Sequence, residues 1–170
     1  MRAFAPLSYA LAITLVGCSE TTNTPVTPEP PTTPPPSPVE PIPLPSFRAS
    51  IYGSEWSAND LTVTRPDEST IRITGVGIEG PWAGYTVTLT LVDAGAPGEY
   101  SLAVDGNGSI LSISRHPHEW TTQIGSGAGR AVVVSSAMNR LVGAFEGFVD
   151  SHGGSGEVLS IFGGTFDVVF

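Results

Sequence analysis

Three imidazoles and a scatter of carboxylates are the residues of this chain best placed to do chemistry. His116 and His118 stand two apart in Arg115-His116-Pro117-His118-Glu119, with His152 elsewhere. On a regular strand such a pair shares a face and would ligate zinc through neutral nitrogens. Pro117 breaks that regularity and no other close ligand pair is visible, so a polar strand connection is expected and no metal or other cofactor is assigned. Asp105, Asn107 and Ser109 match the first, third and fifth ligands of a calcium loop. Ile110 stands where that loop needs glycine, and its twelfth position holds no Glu. Asp-Gly and Asn-Gly are hairpin signals, so a turn is expected here. Glycoside hydrolysis needs two carboxyls held at a fixed separation across a cleft, and no motif marks such a pair. Gly125-Ser126-Gly127 lacks the Gly-x-Ser-x-Gly spacing of a serine hydrolase. No catalytic residue follows from the sequence, and the chain is not expected to be an enzyme.

The aromatic residues carry more information than the acids. Trp56 is expected in the core. Trp82 lies in the loop Glu79-Gly80-Pro81-Trp82-Ala83-Gly84, Tyr85 follows it, and Trp120 comes directly after His118-Glu119. An exposed indole at such a place would stack on a sugar or an apolar partner surface, whereas a buried one anchors its loop. Trp82, Trp120 and Tyr85 are therefore the candidate surface binding residues. The chain has no lysine, which excludes Schiff-base chemistry and a lysine-built phosphate loop. Residues 46–170 hold six arginines against thirteen carboxylates, a formal charge of −7. A nucleic acid backbone would be repelled and is not an expected partner.

The elements that must position these residues are strands. Phe47-Arg48-Ala49-Ser50-Ile51, Leu61-Thr62-Val63-Thr64, Ile71-Arg72-Ile73-Thr74 and Tyr85-Thr86-Val87-Thr88-Leu89-Thr90-Leu91 alternate apolar and polar, the pattern of half-buried strands. Residues 99–104, 109–115, 119–124, 130–136, 141–149 and 164–170 are further strand candidates. Turn chemistry separates them at Arg65-Pro66-Asp67-Glu68, Ala96-Pro97-Gly98, Asp105-Gly106-Asn107-Gly108, Met138-Asn139 and Ser151-His152-Gly153-Gly154. No window supports a capped amphipathic helix. The expected fold is all-β, a single antiparallel meander of about nine or ten strands forming a barrel or a sandwich, a choice that pattern alone leaves open.

Ahead of that domain, Arg2 is followed by a mostly apolar run ending in Leu15-Val16-Gly17-Cys18. The run is shorter than the roughly 20 residues of a membrane span. These four residues resemble the lipobox of bacterial lipoproteins. The resemblance implies a signal peptide over residues 1–17, cleaved before Cys18, and lipid on the Cys18 thiol that holds the protein to a membrane. Ser19 stands where lipoproteins kept in the inner membrane often carry Asp, which points to an outer membrane. Residues 18–45, with eleven of the sixteen prolines at 19–45, have the composition of a disordered tether. Residues 46–170 form the β-domain, which contains no cysteine.

Within that domain, Phe47-x-Ala49-x-Ile51-x-Gly53-x-x-Trp56-x-Ala58, Gly98-x-Tyr100-x-Leu102, Gly143-Ala144-Phe145 and Gly164-Thr165-Phe166-x-Val168 resemble small Bacteroidota-type lipoproteins with a β-domain of unknown function. Phe148 departs from the Gly-x-Phe-x-Phe alternation of that pattern. The resemblance implies a strand-rich fold and brings no catalytic residues. The expected function is a lipid-anchored, non-enzymatic binding or structural module of the cell envelope, with a protein or a glycan as partner. The alternative is a barrel that carries a small apolar ligand, for which the Gly/Ala-rich stretch Leu141-Val142-Gly143-Ala144-Phe145 would leave room; an envelope enzyme is the third reading.

Overall fold

The computed structural model describes residues 44–137, 139–152 and 156–170. The expected signal peptide, Cys18 and nearly all of the expected tether lie outside these residues, as do Met138, Gly153 and Gly154 of two expected turns. The described chain is all-β, with eleven strands: β1 (Ser46–Ile51), β2 (Ser54–Ser57), β3 (Asp60–Thr64), β4 (Thr70–Val76), β5 (Thr86–Val92), β6 (Gly98–Ser101), β7 (Ile110–Arg115), β8 (His118–Thr121), β9 (Ala128–Ala137), β10 (Arg140–Ser151) and β11 (Val158–Val169). All their pairings are antiparallel. The main path runs β2-β1-β11-β10-β8-β7-β5-β4-β3, and β9 with β6 branches from the other part of β10.

The two ends of this path are one stretch of chain. Ser54–Ser57 pairs with β1 and Asp60–Thr64 pairs with β4. Between them Ala58 N–H donates to Phe47 O and Asn59 N–H to Val76 O, at 2.8 and 2.9 Å. The sheet therefore curls until its first and last strands meet at Ala58-Asn59, around a single apolar core. Ile73, Val87, Leu89, Leu111, Ile113 and Ile161 are among the fully buried side chains, each worth about 1.5–3 kcal/mol on removal from water. The opposite faces are polar, as where Thr74 and Thr88 meet across β4 and β5 with hydroxyls 3.4 Å apart.

The Gly-x-Phe repeats acquire a physical meaning here. Gly143 pairs with Phe166, and Phe145 with Gly164, on β10 and β11. Each phenyl lies over the partner glycine: a Cβ at Gly164 would be 2.6 Å from Phe145 Cε1, and one at Gly143 would collide with the Phe166 ring. Phe47 packs 5.3 Å from Phe145 and 5.5 Å from Trp56, and Trp56 in turn covers Gly75 and Gly77. Rings thus occupy the inward space that these small residues open.

Several boundaries differ from the sequence expectation. The strand expected at 99–104 stops at Ser101, because Ala103 O accepts from Gly106 N–H at 2.9 Å in a turn. The strand expected at 119–124 stops at Thr121, and Gly127 N–H closes a turn on Ile124 O at 3.0 Å. β2 and the first half of β11 are additions.

Candidate functional site

The three aromatic candidates come together at one end of the sheet. Trp82 meets Tyr85 edge to face with ring centroids 4.9 Å apart, and Tyr85 lies 6.2 Å from Trp120. Arg115 places its guanidinium 5.2 Å from the centre of the Tyr85 ring, and His118 rests 5.9 Å from Trp120. Trp82 is half-buried, and its indole N–H donates to Ile51 O at 2.9 Å, tying the loop to the end of β1. Trp120 is not the surface residue expected: it is 5% exposed and belongs to the core. It pairs with Ile113, and the strand period turns both inward. Tyr85 is half-buried between the two indoles. The cluster anchors a loop and closes a core.

His116 and His118 are exposed at the turn of the β7–β8 hairpin, where Arg115 pairs with His118. His152 approaches this hairpin through its backbone, N–H to Glu119 O at 2.7 Å. Among the described residues no three His, Cys, Asp or Glu side chains converge as a metal-ligand set. The calcium-like residues serve the backbone instead. Asn107 Oδ1 accepts from Ser109 N–H at 3.3 Å, and Ser109 Oγ accepts from Val92 N–H at 2.9 Å. Ser126 N–H donates to Asp150 Oδ2 at 3.2 Å, so this carboxylate holds the 125–127 turn.

A groove of about 700 Å³ lies on the outside of the sheet. Its floor is the outward face of β1 and β2: Arg48 pairs with Ser57 and Ser50 with Glu55, opposite in phase to the buried Phe47, Ala49 and Trp56. Glu79 and Gly80 form one wall, and Phe162 and Gly163 the other. The Phe162 wall is made by a bulge. Between Gly164 and Ile161 β11 advances three residues while β10 advances two, and β1 shows the same offset. Gly163 takes up the extra residue at φ +57°. Phe162 is 47% exposed, as is Phe148, which meets it edge to face at 5.7 Å.

The charged side chains of the groove have no side-chain partner among the described residues. Of the six domain arginines, Arg130 and Arg140 are in ion pairs, and Arg65 and Arg115 lie over Phe170 and Tyr85. Arg48 and Arg72 have no such partner among the described residues, and Arg48 is the one in the groove. Neither Glu55 nor Glu79 has a hydrogen bond or ion pair from its side chain among the described residues. Sequence reasoning missed this site. Its one legible signal is Phe148, three residues from Phe145 and hence on the opposite face of a period-two strand.

No known protein family, curated protein or solved structure matches this chain.

Proposed function

We propose that this protein is a lipid-anchored module of the cell envelope that binds through the outside of its β-sheet and carries out no catalysis. The supporting observation is the filling of the inward face: Phe145, Phe166, Phe47 and Trp56 take the space over Gly164, Gly143, Gly75 and Gly77. This favours a binding surface over the alternative of an interior ligand carrier. The open groove on β1, β2 and β11 is the surface feature on which such a module would act. Lipid on Cys18 supplies the anchor in this reading, a permanent one if several acyl chains are attached, and Ser19 directs the module to an outer membrane. The resemblance to small Bacteroidota-type lipoproteins is consistent with that address.

The test is fractionation of cells making the wild-type chain or Cys18→Ser, with intact mass of each product. Wild type should sediment with membranes and carry the mass of diacylglycerol on a chain beginning at Cys18, while the variant should be soluble or uncleaved. A soluble wild-type chain with a free thiol overturns the proposal.

A further inference from the structure

Resting on the reading of the protein as a binding module, we infer that the groove over β1, β2 and the β11 bulge takes a neutral saccharide, with one sugar ring against Phe162 and its hydroxyls on Arg48, Ser50, Glu55 and Ser57. The groove presents one guanidinium, Arg48, and two carboxylates, Glu55 beside it on the floor and Glu79 on a wall, and none of the three is in an ion pair among the described residues. An anion is repelled by the two carboxylates, and a cation on the floor is repelled by Arg48. A sugar hydroxyl both donates and accepts, so a polyol satisfies Glu55 and Arg48 together, and the Ser50 and Ser57 hydroxyls adapt to either role.

The aromatic wall supplies the second requirement. A pyranose has an apolar face of C–H bonds, and the electron-rich face of a phenyl ring attracts those slightly positive hydrogens. Phe162 is half-exposed, set at the groove edge by the Gly163 bulge and buttressed at right angles by Phe148. Bulges of this kind re-aim side chains beside functional sites. Polar side chains line most of the groove and one aromatic ring stands at its edge, a composition that suits a hydroxyl-rich ligand with one apolar face. An apolar ligand would strand the floor charges without partners.

The experiment is calorimetric titration of the full chain, solubilised in a detergent without a sugar headgroup, with chitotetraose, cellotetraose and maltotetraose. At least one should bind with a dissociation constant on the order of 1 mM or tighter, as suits an open site. Phe162→Ala should weaken that binding by about tenfold or more and lower the melting temperature by no more than a few degrees, through its lost contact with Phe148, while Arg48→Ala should weaken binding several-fold with the melting temperature unchanged. Arg72→Ala, equally unpaired but outside the groove, should bind as wild type. Failure of all three sugars, or binding insensitive to Phe162→Ala and Arg48→Ala, overturns the inference. So does binding of a proline-rich decapeptide that depends on Phe162 when no sugar binds. Because anchoring is read separately through Cys18, a membrane-bound chain blind to sugars removes the ligand class and leaves the envelope module. A soluble chain that binds sugars does the reverse.

Discussion

Trp56 shows how one side chain is held by what its neighbours lack. It is 2% exposed, packs edge to face on Phe47 and covers the bare backbone of Gly75 and Gly77. Trp56→Ala should cost about 3–5 kcal/mol in urea unfolding, the range for an emptied aromatic site. Its indole N–H has no acceptor among the described residues, and a buried unpaired donor is destabilising. Trp56→Phe should therefore cost clearly less than Trp56→Ala. Trp82→Ala should cost about 1–3 kcal/mol, from half-buried packing and the bond to Ile51 O. That is more than the ±0.5 kcal/mol of a plain surface contact. The Gly-x-Phe pairs give the converse test. Gly164→Ala drives a methyl into the Phe145 ring and backbone, so a loss of about 1–3 kcal/mol is expected in the same assay.

At the scale of the elements, loops held by side-chain acceptors set the strand ends. Asp67 accepts from the Ser69 N–H and hydroxyl at 2.9 Å and from Thr70 N–H at 2.8 Å, just ahead of β4. These bonds, the Ser69 hydroxyl foremost, hold its carboxyl below the ordinary value of 3.8. A carboxyl depressed in the folded state stabilises fully above its unfolded value, and that contribution is lost as pH falls below 3.8 through the folded value. Melting curves from pH 6 to 2 should therefore show a smaller acid-side drop for Asp67→Asn than for wild type. The alternating strands were legible because each has one wet face, as Val87-Thr88-Leu89 does. β2 was hidden because its hairpin turns on Tyr52-Gly53, both at positive φ, and tyrosine is not a residue that announces such a turn. The first half of β11 was hidden because the bulge at Gly163 interrupts the period of two. The groove was hidden for a related reason. It is made by β1 and β11, whose paired residues Ser50 and Phe162 stand 112 positions apart in sequence, a juxtaposition no local pattern records.

For the whole molecule, stability should reside in the β-domain alone. Removing residues 19–40 should leave the melting temperature within about 2 °C of wild type, since a Pro/Thr-rich stretch has little apolar surface to bury. A larger fall would show that this stretch packs on the domain. The closing pairs place β1 between β2 and β11, with Ser46 opposite Asp167. The first strand of the domain is thus bonded to the domain's last, and its register cannot form until nearly the whole domain has been made. Such non-local pairing also slows folding. For a chain that we propose is threaded through a membrane before it is lipidated, this ordering delays the sheet: while β11 is unmade, β1 lacks one of its two neighbours and the growing polypeptide has no closed core to fold around.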